Sequence, residues 1–207
     1  MNFYKKVFLI TLPLILFASC TTVNLMTNEE KRIIGNNDDK NTPFEVLKIT
    51  NKSDSLVLRK KSADINLKKD LEALTALITR LKVTMDTESG VGIAAPQVGI
   101  SRNVFIITRL DKPGQPVQAI INPRIVKIPD QTICFERDGC LSIPGISGNS
   151  IRYPWVEVEY YNENGQKIRE KLSGYSRKTD FTGIIFQHEF DHLNGILFID
   201  KLCKPKD

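Results

Sequence analysis

Between residues 65 and 84 the apolar side chains Leu67, Leu71, Leu74, Leu77, Ile78 and Leu81 recur every three or four positions. That spacing gathers them on one side of a helix, so a helix with one buried face is predicted there. Short stretches with strand character follow at residues 104–108, 117–121, 125–128, 155–161 and 167–172. Asn162-Glu163-Asn164-Gly165, between the last two, has the residues of a hairpin turn. A second helix is predicted after residue 180. At about 100° per residue Phe181, Ile184, Ile185, His188 and His192 share one side. Thr179 or Asp180 can cap its start, and Asn194-Gly195 offers a left-handed residue to end it. Helix, then strands, then helix is an α+β pattern.

The first part of the chain has a different texture. Lys5-Lys6 precedes an apolar run over residues 7–17, interrupted only by Thr11 and Pro13 and too short to span a bilayer comfortably. Ala18-Ser19-Cys20 follows, which makes the pattern of a bacterial lipoprotein signal with Cys20 as the lipidated residue. Phe17 departs from that pattern, where Leu is usual. An ordinary signal peptide, an uncleaved anchor, or a start at Met26 that would leave the protein cytoplasmic are the alternatives. Residues 21–42 are mostly polar, with Asn36-Asn37-Asp38-Asp39-Lys40-Asn41 in succession, so no core face is expected there. The expected organisation is a signal over 1–19, a polar tether over 20–42, a folded domain over 43–203 and a tail over 204–207. A lipid anchor would place the protein at the bacterial cell envelope, attached to the membrane.

Composition narrows the picture further. A chain of 207 residues, 41% hydrophobic, can bury one substantial core. Its charge of +5 arises from 29 basic and 24 acidic residues without a dense basic block. Aromatics are sparse and do not alternate with basic residues, so no nucleic-acid partner is expected.

The chemistry concentrates in a few short segments. Both histidines of the chain lie in His188-Glu189-Phe190-Asp191-His192. Imidazoles four residues apart stack on one helix face and can share a metal ion, with Glu189 beside them able to reach a water without coordinating. Alone, the pentapeptide could equally be a chance match on an amphipathic helix. A catalytic site needs a third protein ligand and an open position. Downstream the only carboxylates are Asp200 and Asp207, which gives a zinc protease of the familiar kind poor support. Upstream, Cys140 in Asp138-Gly139-Cys140-Leu141-Ser142 is either a buried structural thiol or a thiolate ligand. In Gly90-Val91-Gly92-Ile93-Ala94-Ala95-Pro96-Gln97 small residues admit close approach by a substrate. A dinucleotide loop is disfavoured there, because a third glycine is missing and Pro96 stands where a helix should run. Gln97 can offer an amide donor to developing negative charge.

These three segments, in this order, resemble the peptide deformylase family, whose patterns are Gly-x-Gly-x-Ala-Ala-x-Gln, Glu-Gly-Cys-x-Ser and His-Glu-x-x-His. The resemblance runs from about Pro43 to Leu202 and includes Ile121-Asn122-Pro123 and the Arg152 region. It implies an α+β fold of small mixed or antiparallel sheets packed around a metal-binding helix. It also implies metal ligands at Cys140, His188 and His192, an acid/base at Glu189, and an oxyanion held by Gln97 and the Leu141 N–H. Substrate would contact Val91, Gly92, Gly139 and Arg152, with its methionine side chain against Phe181, Ile184 and Ile185, each of which could instead be core. The implied substrates are N-formyl-methionyl peptides or nascent proteins, and the enzyme is expected to be a monomer.

The metal implied is divalent, Fe(II) or Zn(II), with Ni(II) or Co(II) also suited to such a site. Ferrous iron is usual in the family, but oxidants outside the cytoplasm threaten both it and the Cys140 thiolate, so zinc is expected here. One departure stands out: Asp138 occupies the place of the family's glutamate, where a carboxylate is expected to orient neighbouring groups such as Arg152, and its shorter side chain is expected to loosen the site and reduce activity. Cys134 and Cys203 have no place in the motifs; inert thiols are expected, with a disulfide open to an exported chain. The competing functions are an exported metallo-amidase or peptidase on another substrate, and a lipoprotein that binds formyl peptides without turnover.

Overall fold

The computed structural model describes residues 25–35 and 39–204. The signal segment and Cys20 lie outside the described residues. Among the described residues no helix is long and apolar enough to cross a membrane.

Among the described residues seven strands form two antiparallel sheets. β1 (Gly92–Ala94), β2 (Val104–Thr108), β3 (Val117–Lys127), β6 (Trp155–Tyr161) and β7 (Lys167–Ser173) make a five-stranded sheet in the order β1-β2-β3-β6-β7. β2 is buried on both faces, which is why it reads as an unbroken apolar run, whereas β6 alternates buried Val156, Val158 and Tyr160 with half-exposed residues. The segments at 117–121 and 125–128 belong to one strand. Between them the register shifts around Asn122, whose φ is +49°, and whose side chain bonds both the N–H and the carbonyl of Ile65 at 2.9 Å.

Helix α3 (Leu71–Thr87) begins six residues later than its apolar spacing suggested, because Ile65 is held by Asn122 and the Asn66 side chain accepts the N–H groups of Lys68 and Lys69 in a turn. Its face of Leu74, Leu77, Ile78, Leu81 and Met85 packs on one side of the sheet with Ile93, Val104 and Ile106. The opposite side, Phe105, Ile107, Val156 and Leu172, receives helix α4 (Thr182–Leu193) through Ile185, Phe186 and Leu193. Gly183 permits that approach, since a Cβ there would stand 2.8 Å from the Leu172 carbonyl oxygen. Asp180 accepts the N–H of Thr182, and Gly195, at φ +70°, follows the helix end as its sequence foretold.

The stretch expected to be a tether is partly structured. Helix α1 (Asn28–Ile34) opens with a capping box between Thr27 and Glu30 and buries Ile34, with Met26 ahead of it, in the same core as α3. Glu30 pairs with Arg102 at 2.7 Å, and both oxygens of buried Asp70 accept the Met26 N–H at 3.3 Å. A seven-residue helix with so few apolar anchors leaves little periodicity to detect, although Thr27 and Glu30 at cap spacing were a usable signal. Helix α2 (Lys52–Leu58) is a further short helix on the surface.

The second sheet is the hairpin β4 (Ile133–Cys140) and β5 (Ile143–Arg152). Cys134 on β4 is disulfide-bonded to Cys203, with Cα atoms 6.0 Å apart, and the Cys203 N–H donates to the Asn149 carbonyl on β5. The expectation of two inert thiols is therefore corrected: the chain after α4 returns to the hairpin and brings them together.

Candidate active site

Helix α4 meets the end of β4 at the three side chains Cys140, His188 and His192, whose ligand atoms all lie within 4.8 Å of one another. One helical turn sets the imidazole centroids 5.1 Å apart, and Cys140 Sγ is 3.3 Å from His192 Nε2. His188 Nδ1 lies 3.0 Å from Asp138 Oδ1, which leaves its Nε2 for the cluster. Burial alone would raise the Cys140 thiol, but the two imidazoles outweigh it and hold the thiol well below its usual range. Burial opposes the charge on His188, while Asp138 and Cys140 raise it well above the ordinary value. One soft anionic sulfur and two imidazole nitrogens at this separation fit a divalent ion with positions left open.

Glu189 neighbours this cluster without belonging to it. It is buried, its Oε2 has no protein partner, and burial pushes its carboxyl up to about 7 against the pull of the two imidazoles. A carboxyl poised near neutrality can both take and return a proton. Gly92 is required beside it, because a Cβ at that position would stand 2.5 Å from Glu189 Oε1.

Beneath the three side chains lies a buried network, of which the Asp138–Arg152 contact was expected and the rest was not. Arg152 donates to Asp138 at 2.7 Å and to Asp191 at 2.6 Å, Ser150 donates to Asp138 at 2.6 Å, and Lys201 reaches Asp191 at 2.6 Å. Burial would raise the Asp138 carboxyl, yet His188, Arg152 and Ser150 hold it well below the usual carboxylate range. Two expectations change here. Arg152 is buried and does not line the cavity, so it stands beneath the Cys140–His188–His192 cluster and away from the space expected for substrate. Asp138 makes all its bonds at ordinary lengths, so the shorter side chain leaves no slack.

Gln97 sits in a short 3-10 turn, Ala95–Val98, where its Oε1 accepts the Ala94 N–H at 2.8 Å. That bond fixes the amide so that Nε2 faces Ser142 Oγ at 3.2 Å and Cys140 Sγ at 3.6 Å. The backbone of residues 47–49 ties these two walls together. The Leu47 N–H donates to the Gln97 carbonyl, the Ile49 N–H to the Ser142 carbonyl, and Lys48 Nζ to the Leu141 carbonyl at 2.8 Å. Lys48 and Ser150 lie outside the motifs; Ser142 and Asp191 lie within them, as the serine of Glu-Gly-Cys-x-Ser and the fourth residue of His188–His192, but no role was assigned to either.

A cavity of about 360 Å³ opens beside Glu189. Val91, Gly92, Gly139, Leu141, Phe181, Ile184 and Ile185, all anticipated, line it, and the structure adds Phe135, Ile146 and Arg177. β1 forms one wall as the edge strand of its sheet, which leaves a free edge next to the cavity.

The family model "Polypeptide deformylase" matches residues 45–207. The peptide deformylase of Thermotoga maritima is 42% identical over 155 residues, covering 72% of this chain and 84% of that protein. The crystal structure of peptide deformylase from the same organism superposes with a TM-score of 0.67 at 36% identity, over 78% of this chain and 99% of that one. The Met-Ala-Ser bound class I type b peptide deformylase of Acinetobacter baumannii gives a TM-score of 0.67 at 31% identity, covering 78% and 99% of the two chains. With its sulfur and two imidazoles converged, a buried carboxyl beside them and the family match over residues 45–207, the chain belongs to the polypeptide deformylase family.

Proposed function

We propose that this protein hydrolyses the formyl amide of N-formyl-methionyl peptides, releasing formate and a free N-terminus. The observation that carries the reading is Glu189: a buried carboxyl pushed up to about 7, adjoining a three-donor cluster and an apolar cavity. Cys140, His188 and His192 would hold a divalent ion, which supplies the Lewis acidity that makes a water nucleophilic at neutral pH. Glu189 would take a proton from the attacking water and return it to the departing amine. The Gln97 amide and the Leu141 N–H donate to the oxyanion that develops on the formyl oxygen. Peptide backbone adds to the free edge of β1 at Val91-Gly92 and faces Gly139, while the methionine side chain fills the space among Phe181, Ile184 and Ile185.

Zinc is the proposed metal, for the redox reasons given above; elemental analysis of anaerobically isolated protein checks this, and a preparation holding mostly iron would reject it. Export with a lipid on Cys20 is likewise proposed. The Cys134–Cys203 pair supports it, because disulfides persist in oxidising compartments. Mass spectrometry of the native N-terminus decides between acylated Cys20 and a start at Met26. The activity itself is tested with purified protein and formyl-Met-Ala-Ser. Formate release is expected, whereas internal cleavage would indicate a peptidase and binding without turnover a receptor.

A further inference from the structure

The mouth of the cavity carries a cation that the reaction does not use. Arg177 is exposed yet lines the cavity, so it stands at the opening. Its guanidinium lies 5.5 Å from the ring centroids of both Phe135 and Phe181, which line the same cavity. Its Nη2 donates to the Arg137 carbonyl at 2.8 Å. Cation–π contacts with two rings and one backbone bond orient the group, while most of its five N–H donors remain uncommitted. Among the described residues no carboxylate lies within ion-pair distance of it, although the arginines Arg80, Arg102, Arg109 and Arg152 are all engaged by carboxylates or several carbonyls.

We infer that Arg177 binds a carboxylate of the substrate, so that peptides carrying a carboxylate close to the formyl-methionine are preferred. The inference rests on the deformylase reading. A guanidinium fork pairs with a carboxylate in two parallel hydrogen bonds, a match that a neutral amide cannot make. With the formyl group at Glu189 and the methionine side chain in the apolar part, the following residues leave through the mouth past Arg177. The carboxylate is either the free C-terminus of a di- or tripeptide or an acidic side chain next to the methionine. A nascent chain still attached to the ribosome has no free C-terminus, so the first source selects finished peptides.

The test compares kcat/KM for formate release from formyl-Met-Ala, formyl-Met-Ala-amide and formyl-Met-Asp-amide, using metal-loaded full-length protein and its Arg177→Gln variant. The wild type is expected to favour a carboxylate-bearing peptide over the neutral amide by about three- to tenfold, mostly through KM, with the preference shrinking in high salt. In Arg177→Gln the ratio should fall towards one. Preference for formyl-Met-Ala identifies the free C-terminus as the source, and preference for formyl-Met-Asp-amide identifies the side chain. Equal rates on all three by the wild type, or an undiminished preference in the variant, would overturn the inference while leaving the deformylase reading intact. Silence on all three would remove both.

Discussion

In the five-stranded sheet, Phe105, Ile106, Ile107, Ile120, Val156 and Val158 are buried between α3 and α4, whereas the hairpin β4–β5 buries only Phe135 and Ile143 among its apolar residues. Its other buried side chains are Asp138, Ser150 and Arg152, and it leaves Ile146 and Ile151 exposed. The sheet rests on apolar area, which tolerates small changes of shape. The hairpin rests on a charge network, a disulfide and the ligand cluster, each of which works only when complete. The site joins the two: α4, seated on the sheet, supplies His188, Glu189 and His192, and the hairpin supplies Cys140.

The largest contrast should come from Arg152→Ala against Ile106→Ala. Removing Arg152 takes the shared cation from buried Asp138 and Asp191, leaving them only His188, Ser150 and Lys201 as partners, at a cost of about 3 to 5 kcal/mol. Removing most of Ile106 opens a cavity costing about 2 to 5 kcal/mol. Stability alone will not separate them, but metal stoichiometry will: it should fall in the first variant and hold in the folded fraction of the second. Next in size is the Cys134→Ser, Cys203→Ser pair, which should cost about 2 to 4 kcal/mol in chemical denaturation. Hydrogen exchange should then quicken in β4–β5 before the five-stranded sheet, and uniform quickening would break the comparison.

Asp138→Glu is a finer probe. Sequence alone suggests that it restores a tighter site, but the bonds already made by Asp138 mean that an added methylene must be forced in, at about 1 to 3 kcal/mol. Lower metal occupancy or a slower rate is expected, and a faster rate would reveal slack. The smallest effect concerns α1. Burial would raise the Glu30 carboxyl, but Arg102 and the Thr27 N–H hold it below its ordinary value. A depressed folded-state value contributes stability above the ordinary pKa that is lost as pH falls through the lower one. The amide NMR shifts of α1 should therefore move on acidification before those of α3.

Legibility in the sequence follows the same division. β2 and β6 stand at the residues their patterns mark, 104–108 and 155–161, because β2 is buried almost throughout and β6 at every second residue. β3 looked like two strands because Asn122 interrupts it. β1 is only three residues long, and β4 and β5 are rich in polar residues and glycine, so none of the three produced a pattern. The cluster of Cys140, His188, His192, Glu189 and Gln97 could be anticipated from motifs of the resembled family. The Asp138–Arg152 contact followed from the resemblance, but Arg152 was also placed with the substrate, because its contact with Asp191 crosses 39 residues of chain and leaves no local sign of its burial. Lys48 and Arg177 act through tertiary neighbours and leave no local trace.

The most direct test of this account is the rate of formate release from formyl-Met-Ala-Ser by Glu189→Ala, measured at metal content matched to the wild type. The buried carboxyl is assigned both proton transfers, so the rate should fall by at least about a hundredfold while metal binding and thermal stability persist. An unchanged rate at equal metal content would contradict it.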